Sequence, residues 1–259
     1  MIKSRSLLPP LMYHSVSPDR DDPYCITVRP QRFEAQMRLL HRLGMRGVSI
    51  RELLAAQAQG SWKATRLIGL TFDDGYDDFI DSALPVLLRY GFTATAFVLA
   101  GRLGGDNAWT PEGPRKPLMT ADKLRTAAEA GIEIGSHGLV HISLPSVSDP
   151  DLDEEVGLSR RILQEATGQA VDGFCYPFGH LDGRAVRAVR VAGYDYACAI
   201  WRNDFPERYA LRRIAVQDPH LVTRVVKAAP RVLATEGPRV AARKLIETIG
   251  KPGDDRDPG

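Results

Sequence analysis

Short apolar runs alternate along the chain with segments of helical periodicity. The runs are rich in β-branched and aromatic residues, and they predict strands over 8–14, 47–50, 67–72, 94–99, 132–135, 173–176, 196–200 and 211–216. Segments with apolar residues three or four positions apart predict helices over 32–43, 82–90, 151–166 and 183–191. A further helix is expected after Thr120, a candidate N-cap. This alternation of strands and helices is typical of an α/β fold.

Two segments do not follow this alternation. Residues 101–117 are rich in glycine and proline around Trp109, which predicts either a binding loop or lid, or a disordered surface excursion. After Val216 the chain becomes basic and amphipathic over 222–249, and 251–259 have the composition of a disordered end. We therefore predict a main domain over 1–218 and a basic, partly helical extension over 219–259.

Composition excludes several classes of protein. With 44% hydrophobic and 25% charged residues, the chain is typical of a globular protein, and no apolar run approaches the roughly 18–20 residues of a membrane span. A net charge of +2 gives no basis for binding nucleic acid. The three cysteines form no C-x-x-C pair, which argues against a disulfide framework and a zinc ribbon. Because the N-terminus is a poor signal peptide, we expect a cytoplasmic location, with the basic extension as a candidate contact with a membrane surface.

The first chemical signal is a pair of carboxylates at the end of the strand over 67–72. Asp73 and Asp74 follow the strand directly, and Gly75 allows a sharp turn after them. Neighbouring strand residues point in different directions, so that one carboxylate can bind a metal while the other acts as a base. A solvated turn is the alternative interpretation.

The second signal is a pair of histidines after the strand over 132–135. His137 and His141 are four positions apart, a spacing that places two imidazoles on one side of a helical turn, where they can share a divalent ion. Together with one carboxylate they offer three ligands, and the remaining coordination positions stay open for water and substrate, as in catalytic sites. Two unrelated surface histidines are the alternative.

Three motifs in this order resemble those of the polysaccharide deacetylases of the NodB-homology type, carbohydrate esterase family 4. They are T-F-D-D-G at 71–75, H-G-L-V-H at 137–141 and F-C-Y-P-F-G at 174–179. Gly138 replaces a Ser or Thr of the second motif, and Cys175 replaces an arginine that orients the catalytic base in many members. L-M-Y-H at 11–14 is similar to the strand that comes first in a circularly permuted branch of the family.

The resemblance implies a distorted (β/α) barrel of about seven strands. It also implies a hydrolase that removes the N-acetyl group of an amino sugar or glycan intermediate and releases acetate. In that assignment Asp74, His137 and His141 bind a divalent metal, usually zinc, with cobalt, nickel and manganese as alternatives. Asp73 is the base that activates the attacking water.

The resemblance also suggests how the oxyanion and the leaving group are handled. The backbone N–H at Phe178 is the oxyanion donor, and His14 is the general-acid candidate, since an imidazole exchanges protons near neutral pH. A capping histidine at a strand end is the alternative for His14. Tyr176, Trp109 and Arg213 are further candidate contacts, and Arg213 either lines the site or braces it.

Two other functions remain open at this point. A related carbon–nitrogen hydrolase, acting on a formyl group or on a cyclic imide or ureide, would use the same fold. A glycan-binding module that has lost its chemistry is the non-enzymatic alternative, against which the intact carboxylates and histidines argue. The sequence leaves the oligomeric state open.

Overall fold

The structure is a computed structural model that describes residues 8–59, 66–201 and 203–216. The predicted extension over 219–259 lies outside these residues. The strands are β1 (Leu11–Tyr13), β2 (Ser15–Val16), β3 (Thr27–Val28), β4 (Arg46–Val48), β5 (Leu67–Phe72), β6 (Thr95–Val98), β7 (Glu133–Ser136), β8 (Gly173–Cys175), β9 (Tyr196–Ala199), β10 (Leu211–Arg212) and β11 (Ile214–Ala215). The helices are α1 (Pro30–Arg42), α2 (Ile50–Ala58), α3 (Leu84–Arg89), α4 (Ala121–Glu129), α5 (Asp149–Thr167) and α6 (Gly183–Val191).

The main sheet is parallel and nearly closes into a barrel. Within the described part of the chain it has nine strands in the order β10-β9-β8-β7-β6-β5-β1-β11, with β4 beside β5. β10 and β11 lie at opposite ends of this order, yet only Arg213 separates them in the chain. The last strand segment therefore passes from one edge of the sheet to the other. The predicted (β/α) barrel is confirmed.

Strand and helix limits differ from the predictions where local geometry changes abruptly. The predicted strand over 211–216 is wrong as a single element, because it divides at Arg213 and its halves pair with β9 and β1. The strand predicted over 47–50 ends at Val48, since Ser49 caps α2 by accepting from the Glu52 N–H. The sequence did not predict β2, β3 and α2. Two-residue strands are too short to produce an alternating pattern.

The amino-terminal end of the barrel is sealed by the start of α2. Glu133, at the start of β7, accepts hydrogen bonds from Thr95 Oγ1 (2.7 Å), Tyr196 Oη (2.9 Å) and the Arg51 N–H (3.0 Å). Ile50 packs beside them in a small buried cluster with Phe97. Because this end is filled, the carboxyl ends of the strands form the open end of the barrel.

In the part of the chain that the structure describes, no helix combines the length and hydropathy needed to cross a membrane.

Candidate active site

The candidate residues lie at the carboxyl edge of the sheet. Asp73 and Asp74 follow β5, His137 follows β7, and His14 follows β1, whose Tyr13 pairs with Phe72. Parallel strands bring these ends together, and the register places His14 level with Asp73. They line a cavity of about 260 Å³, whose other walls are Tyr24, Ile26, Trp109, Thr110, Pro111, His141, Tyr176, Phe178 and Ile200. Every predicted candidate except Arg213 therefore lines one cavity.

Asp74 and the two histidines form a compact group of possible metal ligands. Asp74 Oδ1 lies 3.3 Å from His137 Nε2 and 3.4 Å from His141 Nε2, and all three side chains are buried. Around a tetrahedral zinc with bonds of about 2.0–2.2 Å, ligand atoms are roughly 3.3–3.6 Å apart. Asp74 Oδ1 is buried without a hydrogen-bond partner among the described residues. Both the spacing of the three ligand atoms and the unpaired Asp74 oxygen fit a bound divalent cation.

The surroundings of His137 and His141 suit the two imidazoles to metal binding in different ways. The Nδ1 atom of His137 lies 2.8 Å from the Cys175 carbonyl oxygen, a contact that fixes the ring with Nε2 towards Asp74. Burial lowers the pKa of His141 to about 4, so that its ring is neutral at neutral pH and has a free lone pair. The ring of His141 also stacks on Trp109, at 4.9 Å between centroids, and meets the edge of Phe178 at 4.3 Å.

The predicted helical turn between the two histidines is wrong. The segment is an irregular loop in which Gly138 has a φ of 85° and His141 a φ of 65°. The Gly138 and Leu139 carbonyls accept hydrogen bonds from the Ala100 and Gly101 N–H groups, each at 3.0 Å, instead of bonding within the segment. Left-handed backbone at both ends of the loop, rather than helical periodicity, brings the imidazoles together.

Asp73 is held by a buried arginine. Arg213 Nη1 donates to Asp73 Oδ1 at 2.6 Å, and Nη2 donates to Oδ2 at 2.7 Å. The same guanidinium donates to Thr71 Oγ1 and contacts Cys175 Sγ, both at 2.9 Å. Although burial alone would raise the pKa of Asp73, the charge and hydrogen bonds of Arg213 lower it below its ordinary value. Asp73 is therefore ionised at neutral pH.

The position of Arg213 corrects its assignment as a substrate or oxyanion contact. The side chain is fully buried behind Asp73 and is absent from the cavity lining. Of the two roles that the sequence leaves open for Arg213, the geometry matches bracing. Cys175 stands where the motif of the family that the sequence resembles has an arginine, and in this chain Arg213, between β10 and β11, holds the Asp73 carboxylate. Burial raises the pKa of the Cys175 thiol, which packs as a small neutral side chain.

The glycine- and proline-rich loop over 101–117 is an ordered wall of the cavity. Asp106 pairs with Pro117, and the buried Asn107 accepts from the Lys116 N–H at 2.8 Å and donates to the Pro114 carbonyl at 3.2 Å. This internal bonding holds Trp109 over the cavity. The structure supports the binding-loop interpretation and contradicts the disordered excursion.

Phe178 and Tyr176 occupy the cavity wall in different ways. Phe178 has a φ of 59° in a one-turn 3-10 helix over Pro177–Gly179, and its N–H donates to no other described residue. No protein acceptor therefore competes for this N–H, and its role as the oxyanion donor stays a prediction. The Tyr176 ring lines the cavity, but its hydroxyl donates to the Tyr209 carbonyl at 3.0 Å. Tyr176 thus contributes a wall rather than a hydrogen-bond donor.

Sequence reasoning missed several residues of the walls. Ile200 directly follows β9, so its position at the end of a strand is a signal that could have identified it. Tyr24 and Ile26 come from the loop between β2 and β3, where the sequence shows no periodic pattern. Thr110 and Pro111 accompany Trp109 in the glycine- and proline-rich loop.

Residues 62–197 match the sequence model of the polysaccharide deacetylase family. The matched segment contains all three motifs, whereas His14 and Arg213 lie outside it.

Two known proteins show sequence similarity over most of this chain. YxkH of Bacillus subtilis (strain 168), itself named only provisionally as a polysaccharide deacetylase, is 29% identical over 187 residues, which are 72% of this chain and 62% of that protein. The chain therefore spans less than two thirds of YxkH. Poly-beta-1,6-N-acetyl-D-glucosamine N-deacetylase of Staphylococcus aureus (strain MSSA476) is 21% identical over 213 residues, 76% of this chain and 71% of that protein.

Solved structures share the fold. The Streptococcus pyogenes deacetylase PplD, in complex with acetate, superposes with a TM-score of 0.70 at 20% identity, over 93% of this chain and 97% of that one. IcaB from Ammonifex degensii gives a TM-score of 0.69 at 20% identity, over 86% of this chain and 96% of that one.

Proposed function

Because this chain belongs to the polysaccharide deacetylase family, we propose that it is a metal-dependent N-deacetylase that hydrolyses the N-acetyl group of an amino sugar in a glycan. The observation that carries the proposal is the grouping of Asp73, Asp74, His137 and His141 at one open cavity. Asp73, which is not one of the three ligands and is held in its ionised form by Arg213, lies beside them. This arrangement suits hydrolysis better than sugar binding alone.

Asp74, His137 and His141 would hold the divalent cation. One carboxylate and two imidazoles are ligands that suit zinc, with cobalt, nickel and manganese as alternatives. When bound, such a cation lowers the pKa of a water ligand and polarises the acyl carbonyl.

Residues of this chain would then transfer the protons and stabilise the negative charge that develops on the substrate oxygen. Asp73, ionised beside Arg213, accepts a proton from the water that adds to the acyl carbon. The Phe178 N–H donates to the oxygen of the tetrahedral intermediate. His14, at the same edge of the sheet, gives a proton to the amine as the carbon–nitrogen bond breaks. The balance is one amide and one water converted to acetate and a free amine.

The cavity lining favours an uncharged glycan over a nucleotide-linked sugar. Among the described residues, no lysine or arginine lines the cavity, so that, apart from the proposed metal, a pyrophosphate would find no lysine or arginine to pair with. Trp109, Phe178 and Tyr24 offer aromatic surfaces that suit the apolar faces of a sugar ring. The S. aureus relative is named for poly-beta-1,6-N-acetyl-D-glucosamine, and we propose N-acetylglucosamine units of a glycan as the substrate.

One experiment separates this function from its alternatives. Anomalous scattering at the absorption edges of zinc, cobalt, nickel and manganese would identify a metal at the three ligands. Acetate release from N-acetylglucosamine oligomers, compared with turnover of N-formyl sugars and cyclic imides, would test the acyl group. Turnover of only the formyl or cyclic substrates would favour the related hydrolase, and metal binding without any turnover would favour the binding module.

The predicted cytoplasmic location and the membrane-surface contact of 219–259 stay proposals from the sequence.

Replacing His137 with alanine is expected to abolish both metal binding and acetate release. The change removes one of three ligands, so metal affinity should fall by more than the roughly 10- to 100-fold that loss of an outer-shell partner causes. Metal content and metal affinity, measured by competition with a coloured chelator, check this result. His41→Ala, at an exposed site on α1, is the control and should behave like the unchanged protein. Full metal affinity in His137→Ala would rule out the proposed ligand group.

Replacing His14 with alanine is expected to slow deacetylation by about 10²- to 10⁴-fold without changing metal affinity. The loss should be largest for an N-acetyl amine, which needs a proton to leave. It should be small for an activated acetyl ester, whose leaving group departs as an anion. Comparing kcat/KM for the two substrates checks the assignment. Equal losses on both substrates would indicate the strand-capping role instead.

A further inference from the structure

Glu155 is a buried carboxylate beside the site that the proposed mechanism does not use. It lies on α5 and is 5% exposed. Its Oε2 accepts a hydrogen bond of 2.7 Å from the Leu139 N–H. Leu139 lies midway between the two histidines of the proposed metal site.

The loop that contains Leu139 is held from both sides. On one side, the Ala100 and Gly101 N–H groups donate to the Gly138 and Leu139 carbonyls at 3.0 Å. On the other side, Glu155 accepts from the Leu139 N–H. Because the loop is not helical, its backbone groups depend on these outside partners. Two side chains also hold the loop: Ser136 Oγ accepts from the Gly138 N–H at 3.1 Å, and Glu155, on a separate helix, accepts from the Leu139 N–H. A side chain such as Glu155 can be changed without altering the backbone.

Gly138 shows how closely the carboxylate approaches the loop. A Cβ atom added at Gly138 would lie 2.9 Å from Glu155 Oε2, closer than real Cβ atoms come to an oxygen. Gly138 also has a φ of 85°, which residues with a side chain rarely adopt. The glycine and the buried glutamate are therefore two parts of one packing arrangement, in which the carboxylate fills the space of a side chain.

We propose that Glu155 is a positioning residue of the metal site, which sets metal affinity by fixing the loop between His137 and His141. The proposal rests on the metal site of the proposed function. Without the carboxylate, the partly buried Leu139 N–H would lose its partner, and the loop would relax towards a conformation that satisfies it. His141 would then leave its position beside Asp74, while Asp73 and Arg213 would stay in place. Outer partners of metal ligands typically change affinity by about 10- to 100-fold.

The test compares Glu155→Gln with Glu155→Leu. Glutamine keeps an oxygen that can accept from Leu139, whereas leucine keeps a similar volume and removes the acceptor. Zinc affinity, measured by chelator competition, should fall less than about threefold in the glutamine variant and about 10- to 100-fold in the leucine variant. The visible absorption of bound cobalt should shift in the leucine variant and stay unchanged in the glutamine variant. Glu154→Gln, which changes an exposed neighbour on the same helix, is the matched control.

Thermal melting of the metal-free variants distinguishes a positioning role of Glu155 from a general loss of protein stability. A leucine variant that melts near the unchanged protein and binds zinc weakly supports the proposal. If that variant does not fold, Glu155→Met, which also removes the acceptor but keeps an unbranched side chain, should weaken zinc binding in the same way. Unchanged zinc affinity in the folded variants, or equal losses with glutamine and leucine, would overturn the proposal. If the unchanged protein binds no divalent metal, the proposed metal site fails, and the role of Glu155 fails with it.

Discussion

Asp73→Asn is expected to lower kcat/KM for acetate release by about 10²- to 10⁴-fold while metal affinity stays close to that of the unchanged protein. The amide keeps the shape of the side chain but cannot accept a proton from water. The three proposed ligands do not include Asp73, whose two oxygens are held by Arg213. Acetate release and chelator competition, measured on the same preparation, check both halves of the expectation.

Asp77→Asn is the matched control for this change. Asp77 lies four residues further along the same segment, where its carboxylate accepts from Lys123 at 2.6 Å. The same chemical change at this partly exposed pair should leave both metal affinity and turnover nearly unchanged. Full activity in Asp73→Asn would remove Asp73 as the base, and loss of metal would show that it belongs to the ligand group.

Arg213→Gln is expected to lower the free energy of unfolding by about 3–5 kcal/mol and to reduce turnover at least tenfold. Both charges of the pair are almost completely buried, so removing the cation leaves the Asp73 carboxylate without compensation. A glutamine cannot reproduce the two parallel hydrogen bonds of a guanidinium, and lysine at this position should not restore them either. Chemical denaturation and acetate release measure the two effects.

The control for this change is the neighbouring residue Arg212, and the decisive comparison is a double variant of the Arg213–Asp73 pair. Arg212→Gln changes the neighbouring, partly exposed arginine and should cost little. The double variant Asp73→Asn with Arg213→Gln removes both charges, so it should be more stable than Arg213→Gln alone. If the two losses of unfolding free energy simply add, the pair does not act as a unit, and the bracing role is wrong.

The sequence predicts the parts of the site that follow directly from strand ends. Asp73, Asp74 and His137 each come directly after an apolar strand, and parallel pairing brings such positions together whatever the details of the loops. The strand over 67–72 was predicted with both of its limits correct. Patterns of hydrophobicity therefore suffice to predict a strand and the residues at its end where burial alone determines the structure.

The remainder depends on contacts between residues far apart in the chain. Arg213 and Asp73 are 140 positions apart, and no local pattern indicates that the guanidinium faces the carboxylate. The loop between His137 and His141 has a spacing that suits a helix, but left-handed backbone at Gly138 overrides it. Glu155 gives no signal in the sequence, because on a helix a buried glutamate looks the same as a solvated one.

The division of the last strand at Arg213 determines when the catalytic centre becomes complete during synthesis. β1 must wait for β11 to cover its free edge, and Asp73 must wait for the arginine between β10 and β11. Chains grow from the amino terminus, so a nascent chain would contain every ligand and the base long before the base acquires its counterion. Pairing of the first and last strands also makes this a fold of distant contacts, which slows its formation. Asp73 would thus gain its counterion only after nearly all of the barrel has been synthesised.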